Sequence, residues 1–130
     1  MEKARNFRNY KVWQDAVDYA AEVYKVTAEM PWFEKKGLCD QLQRAAVSIS
    51  SNIAEGSAKP SNADFARFLD TALGSAYEVE TQLLIAYKVG YIRNENEDEN
   101  EKAATYNELH AGIIEIEKQL AGLIRSLRFE

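Results

Sequence analysis

The chain has 130 residues, 46% hydrophobic and 28% charged, with a formal net charge of −5, which excludes a disordered polymer and fits one globular domain, 1–130, with its own core. The single cysteine, Cys39, excludes an intrachain disulfide and a thiolate metal cluster. No window approaches the ~18 uninterrupted apolar residues of a membrane span, and the charged start "MEKARNFRNYK" lacks the apolar stretch of a signal peptide, so a cytoplasmic protein without a membrane partner is expected.

Three breaks divide the chain: Pro31, Pro60, and the run "NENEDENE" at Asn94–Glu101, which carries five acidic residues. Without that run the remaining charges sum to zero. The four segments between the breaks show helical rather than strand-like periodicity, predicting helices over approximately 10–30, 36–57, 62–89 and 99–127.

In the first segment Val12, Ala16, Tyr19, Val23, Val26 and Met30 form one apolar row, and Trp13, Val17, Ala20, Tyr24 and Thr27 form a second beside it. Two adjacent rows make a face wider than one helix contact requires, so this helix is expected to touch more than one neighbour. Phe7, Tyr10 and Trp13 at its start are expected to anchor such a neighbour.

The second segment keeps Leu38, Leu42, Ala45, Ile49 and Ile53 at helical spacing. Beside them runs a polar row, Arg44, Ser48, Ser51, Asn52 and Glu55, read as structural, its serines bonded to backbone carbonyls and its charges paired on helix three or another subunit. A ligand or nucleic-acid site is the alternative reading of that row.

The third segment opens with Ser61 as N-cap and Asp64 three residues on, the spacing of a capping box. Its seam is Phe65, Leu69, Ala72, Ala76, Val79, Leu83 and Ala86, and Gly90 suits the left-handed residue that ends a helix. Folding helices two and three about the turn near Lys59–Pro60 pairs positions whose numbers sum to about 119. Ala45 and Ala46 then lie opposite Gly74, with Arg44 in reach of Ser75 or Glu78. A glycine inside a helix costs about 1 kcal/mol against alanine, so Gly74 is read as a close helix approach. In the fourth segment Tyr106, Leu109, Ile113, Ile116, Leu120, Leu123 and Leu127 form an unbroken seam. Short connections make successive helices antiparallel, so the predicted fold is an all-α, up-down-up-down four-helix bundle.

The residues give no reaction. The sole histidine, His110, has Asn107 three positions earlier rather than the glutamate of a di-iron bundle, and the chain has no nucleophile elbow, Walker loop or dinucleotide motif. No catalytic residue, metal, cofactor or small-molecule substrate is assigned, and a non-enzyme is expected. Cations gather at one end of the bundle: Lys3, Arg5, Arg8 and Lys11 before and within helix one, Lys59 and Arg67 at the second turn, and Arg125 and Arg128 closing helix four. That end would carry a positive field able to meet nucleic acid; the alternative is an ordinary solvated end, diluted by Glu2, Asp15, Glu55, Asp64 and Glu130.

Three stretches, "FRNYKVWQDAVDYAAEVY", "GLCDQLQRAAVSISSNIAEG" and "FARFLDTALGSAYEVETQLLIAYKVGYI", together resemble the bacterial four-helix-bundle proteins encoded in intervening sequences of 23S ribosomal RNA genes. The resemblance covers roughly residues 7–92 and is most specific in "QLQRAAVSISSNIAEG"; a related group is the accessory variability protein of diversity-generating retroelements, a pentameric barrel that binds nucleic acid and a reverse transcriptase. It implies a ring-like homo-oligomer, a homopentamer, without catalytic activity, acting as scaffold or accessory factor for RNA or ribonucleoprotein. The alternative, read from the cations at one end, is a nucleic-acid chaperone binding phosphate directly through that basic end. The sequence pI of about 5.0 departs from the strongly basic members near the retroelement protein.

Overall fold

A computed structural model describes residues 5–94 and 103–129. The described chain runs through a short 3-10 turn at Phe7–Asn9, α1 (Lys11–Ala28), a second 3-10 turn at Trp32–Glu34, α2 (Leu38–Ser57), α3 (Asn62–Lys88) and α4 (Tyr106–Arg128). All of it is helix, turn or coil, with no strand among the described residues. The predicted fourth helix starts late: Thr105 is its N-cap, accepting from the Glu108 amide. Of the acidic run, positions 95–101 lie outside the described residues.

Local chemistry explains the helix ends. The Ser61 hydroxyl accepts from the Asp64 amide at 3.1 Å, and the Asp64 carboxylate turns to Arg67 at 3.4 Å, so the serine half of the capping box is made. At the far end of α3, Gly90 has φ +86. Its amide reaches the Tyr87 carbonyl at 3.0 Å, and the Tyr91 amide reaches that of Ala86 at 2.8 Å. That pair of bonds is a Schellman closure, and it requires the left-handed residue that glycine adopts without penalty.

The four helices lie side by side around one core. α3 packs on α2 and α4, α1 packs on α2 and less extensively on α4, and the α2 and α4 backbones do not approach each other closely. The first row of α1 is buried throughout, from Val12 to Met30, as are Leu42, Ala45, Ile49 and Ile53 of α2 and the entire expected seam of α3. The α4 seam follows the expected positions to Leu120, but then Ile124 takes the buried place while Leu123 and Leu127 are half-buried. At 3.6 residues per turn a straight helix drifts off a seven-residue repeat, which moves the stripe by one position over this length.

The α2–α3 register corrects the sequence expectation. Contacts pair Gln41 with Gln82 and Ser48 with Ser75, positions that sum to 123 rather than 119, a shift of one helical turn. Gly74 is therefore not opposite Ala45 and Ala46; it is exposed, and a Cβ there would meet no atom within 4 Å. The close approach is at Gly56, where a Cβ would stand 2.5 Å from Phe68 Cβ and 3.0 Å from Phe65 Cδ1. Ala45 and Ala46 are buried as core residues.

Candidate functional site

The cations of the predicted basic end do gather there, but the protein's own groups engage most of them. Lys3 lies outside the described residues. Arg5 donates to the Lys59 carbonyl at 2.6 Å and to the Asn62 side chain, with its guanidinium 4.9 Å from the Phe65 ring centroid. Arg8 stacks 4.4 Å from the Phe7 ring, and the Lys59 ammonium stands 5.0 Å from that of Phe68. Lys11 pairs with Asp15 at 2.6 Å, Arg67 with Asp64 at 3.4 Å, and Arg128 with the Asp70 carboxylate. The Lys11 hydrogen bond raises the pKa of the ammonium and lowers that of Asp15, which also accepts from Gln119 at 2.8 Å. Arg125 is exposed on the last turn of α4. Exposed pairs of this kind add little stability, but each carboxylate lowers the positive field that the end presents.

The polar row on α2 splits into half-buried and solvated parts. Ser48 and Ser75 share a hydrogen bond at 2.8 Å across the α2–α3 seam. Asn52 donates to the Ser48 carbonyl at 2.8 Å and to its hydroxyl at 3.0 Å. Arg44 pairs with Asp40 on its own helix at 2.9 Å and stays largely exposed. It lines the same shallow groove as Ser75 and Glu78, but its ion pair goes to neither. Ser51 and Glu55 face solvent. In place of the expected backbone bond, Ser48 makes a hydroxyl bridge to Ser75, and in place of a partner on helix three, Arg44 pairs within α2.

The second row of α1 is incompletely covered. Thr27 is buried, Trp13 and Ala20 are half-buried, and Val17 and Tyr24 remain 40% and 48% exposed. Ala21 and Ala28 extend that strip, one turn to either side of Tyr24. Val47 of α2 adjoins Tyr24 along one groove. A second groove of about 400 Å³ continues from Tyr24 to Met30, Pro31, Trp32 and Cys39, and Trp32 is 85% exposed on its rim. Burial raises the Cys39 thiol pKa, and its Sγ sits 3.6 Å from the Thr27 carbonyl, so it is a packed side chain rather than a nucleophile.

A separate apolar strip runs along the outside of α3 through Tyr77, Leu84 and Ile85, with Thr81 and Lys88 on the same face. Sequence reasoning missed this strip because the α3 seam used the apolar residues with the cleanest period, leaving Tyr77 and Leu84 unassigned. Conversely, Phe7, Tyr10 and Trp13, expected to anchor a neighbour, fold onto their own chain. Phe7 meets Trp13 edge-on at 5.1 Å, and Tyr10 meets Phe65 at 5.8 Å. His110 is exposed and stacks on Tyr106, itself stacked 4.3 Å from Tyr87. Among the described residues no group of three or more His, Cys, Asp or Glu side chains is placed to hold a metal ion, and no helix is long and apolar enough to cross a membrane.

Comparison with known proteins fits this architecture. No curated protein matches the chain. A solved structure, described as a protein with unknown function from the S23 ribosomal protein family of Bacteroides thetaiotaomicron VPI-5482, is 28% identical; the match covers 88% of this chain and 98% of that one, with a TM-score of 0.71. The model of the 23S rRNA-intervening sequence protein family matches residues 8–122, a span that begins before α1 and ends in the last turns of α4 and so includes most of the covered core and both uncovered strips. The chain belongs to the 23S rRNA-intervening sequence protein family.

Proposed function

We propose that this protein is a non-enzymatic helical scaffold: an antiparallel up-down-up-down bundle whose copies join side to side in a ring-like homo-oligomer, a pentamer by resemblance to the retroelement accessory protein. The observation that carries this reading is the pair of apolar strips left on two different faces, Val17–Tyr24–Val47 on α1 and α2 and Tyr77–Leu84 on α3. The reversed order of the α2–α3 contacts, 41 with 82 and 48 with 75, supports the antiparallel arrangement. Two unlike strips favour heterologous contact, in which the α3 strip of one copy covers the α1–α2 strip of the next; repeated rotation closes such contacts into a ring. Aromatic residues with polar tips suit that role. The ring presents a common end to RNA or a ribonucleoprotein.

Direct nucleic-acid binding by the basic end is the second reading. It draws on the gathering of Arg8, Lys59 and Arg125, and it is disfavoured by the ion pairs of Lys11, Arg67 and Arg128. Sedimentation or light scattering tests the scaffold: the natural chain is expected as a defined oligomer, and Tyr24→Arg with Val47→Arg as a folded monomer. A natural chain that stays monomeric at high micromolar concentration defeats the reading. Titration with labelled RNA across salt separates the second, since phosphate contacts give a steep salt dependence and loss on changing Arg8 and Arg125 to Ser.

A further inference from the structure

The seam between α3 and α4 contains two acids that face each other. Register places them so: Tyr87 of α3 stacks on Tyr106 of α4, and Asp70 pairs with Arg128. Between those two rungs Glu80 meets Glu117, both half-buried. One oxygen of Glu117, Oε2, is buried with no hydrogen-bond partner. The titratable group facing Glu117 from α3 is Glu80, and the one in the same field from α1 is the Tyr19 phenol, which donates to the Leu109 carbonyl at 2.7 Å. On α4 itself Tyr106 shares that field; α2 makes no close backbone approach to α4. A buried carboxylate oxygen without a donor is costly. Two adjoining carboxylates cannot both ionise cheaply, and a single proton held between them satisfies both acceptors.

We propose that Glu80 and Glu117 form a proton-operated latch: with one shared proton they tie α3 to α4, and with that proton lost they repel and loosen the seam. Burial, then the hydrogen bond to Glu80, push the Glu117 pKa up to about 7 from an ordinary 4.5, which places the change at neutral pH. Because the folded-state value is raised above the unfolded one, the latched state is fully favoured below about 4.5, weakens above it, and has lost its proton once pH passes about 7.

The test uses the full chain with carboxyl-labelled glutamate. Carbon NMR is expected to show Glu117, assigned in the natural chain by through-bond correlation from its own backbone amide, titrating near neutral pH. After correction for intrinsic exchange rates, amide protection in α4 is expected to fall about tenfold between pH 6 and pH 8 in the natural chain. That fall should be absent in Glu117→Gln and reduced in Glu80→Gln. A Glu117 carboxyl that titrates at an ordinary acidic value, or α4 protection that stays level across the window, overturns the latch. The NMR titration needs only the natural chain for its outcome, so it decides even if the Gln variants fold poorly. Neither measurement depends on self-association, so failure of the ring leaves the latch standing, and the reverse.

Discussion

The two seams made by α3 are built from opposite materials. Toward α2 the contact has small side chains, buried Ala45 and Ala46 on the α2 side, and Gly56 tight against Phe65 and Phe68. Its polar bridges are neutral, the Ser48–Ser75 hydroxyl pair and the amide bond from Gln82 to Gln41. Toward α4 the rungs are a tyrosine stack, an acid pair and an arginine–aspartate pair, and α1 sends the Tyr19 phenol across Gly112 into the same region. One helix can therefore carry a rigid, pH-indifferent face and an adjustable one. Small neutral groups leave nothing to titrate and little freedom to move, whereas large polar groups bring charges whose cost depends on protonation.

Substitution at Gly56 disrupts the rigid seam most directly. A methyl there meets Phe68 Cβ, an atom close to the backbone that cannot swing aside. Gly56→Ala is expected to destabilise by about 2–3 kcal/mol despite alanine's better helix propensity, read from the midpoint of urea unfolding. A Gly56→Ala protein as stable as the natural one would show that the seam is looser than its geometry.

On the adjustable side, Tyr19→Phe removes the hydroxyl that reaches the Leu109 carbonyl while keeping the ring packed over Gly112. The expected loss is about 1 kcal/mol, measured in the same way. Burial and the Glu117, Tyr106 and Glu80 charges push the Tyr19 pKa upward, so the phenol stays protonated and the effect should not change between pH 5 and pH 9. A pH-dependent loss in that range would mean that Tyr19 acts through the acid pair instead.

The smallest expected effect has the opposite sign. Gly74 is exposed with open space around its α-carbon, so Gly74→Ala is expected to stabilise the monomer fold by about 1 kcal/mol. Set beside Gly56→Ala it gives the contrast a sign, since two glycines of neighbouring helices should respond in opposite directions. If Gly74 belongs to the strip that a second copy covers, the gain will appear in unfolding while the oligomer weakens in sedimentation.

Much of this was legible in the residues. The period of α1, α3 and most of α4 specified which faces are buried, because burying apolar area is the dominant favourable term and a helix has only one period with which to do it. Ser61 and Gly90 marked helix ends through requirements that are local, a side-chain acceptor and a left-handed residue. The exposure of Gly74 was not legible, since helix register depends on contacts between helices, here the close approach of Gly56 to Phe68, and a loop of a few residues leaves a turn of slack. The fate of the basic end was equally hidden: Asp70 lies far in sequence from Arg128, and only folding brings the two together.

The helices, their buried faces and the break positions could be read from the chain unfolded, because each follows from spacing and residue type along one segment; the family was legible only as a resemblance carried by three stretches. Packing was needed for the register of α2 on α3, for which cations keep their charge available, for which second-row residues of α1 stay open, and for the meeting of Glu80 with Glu117. Those outcomes are pairwise distances between segments, and a distance between segments exists only once the chain has packed.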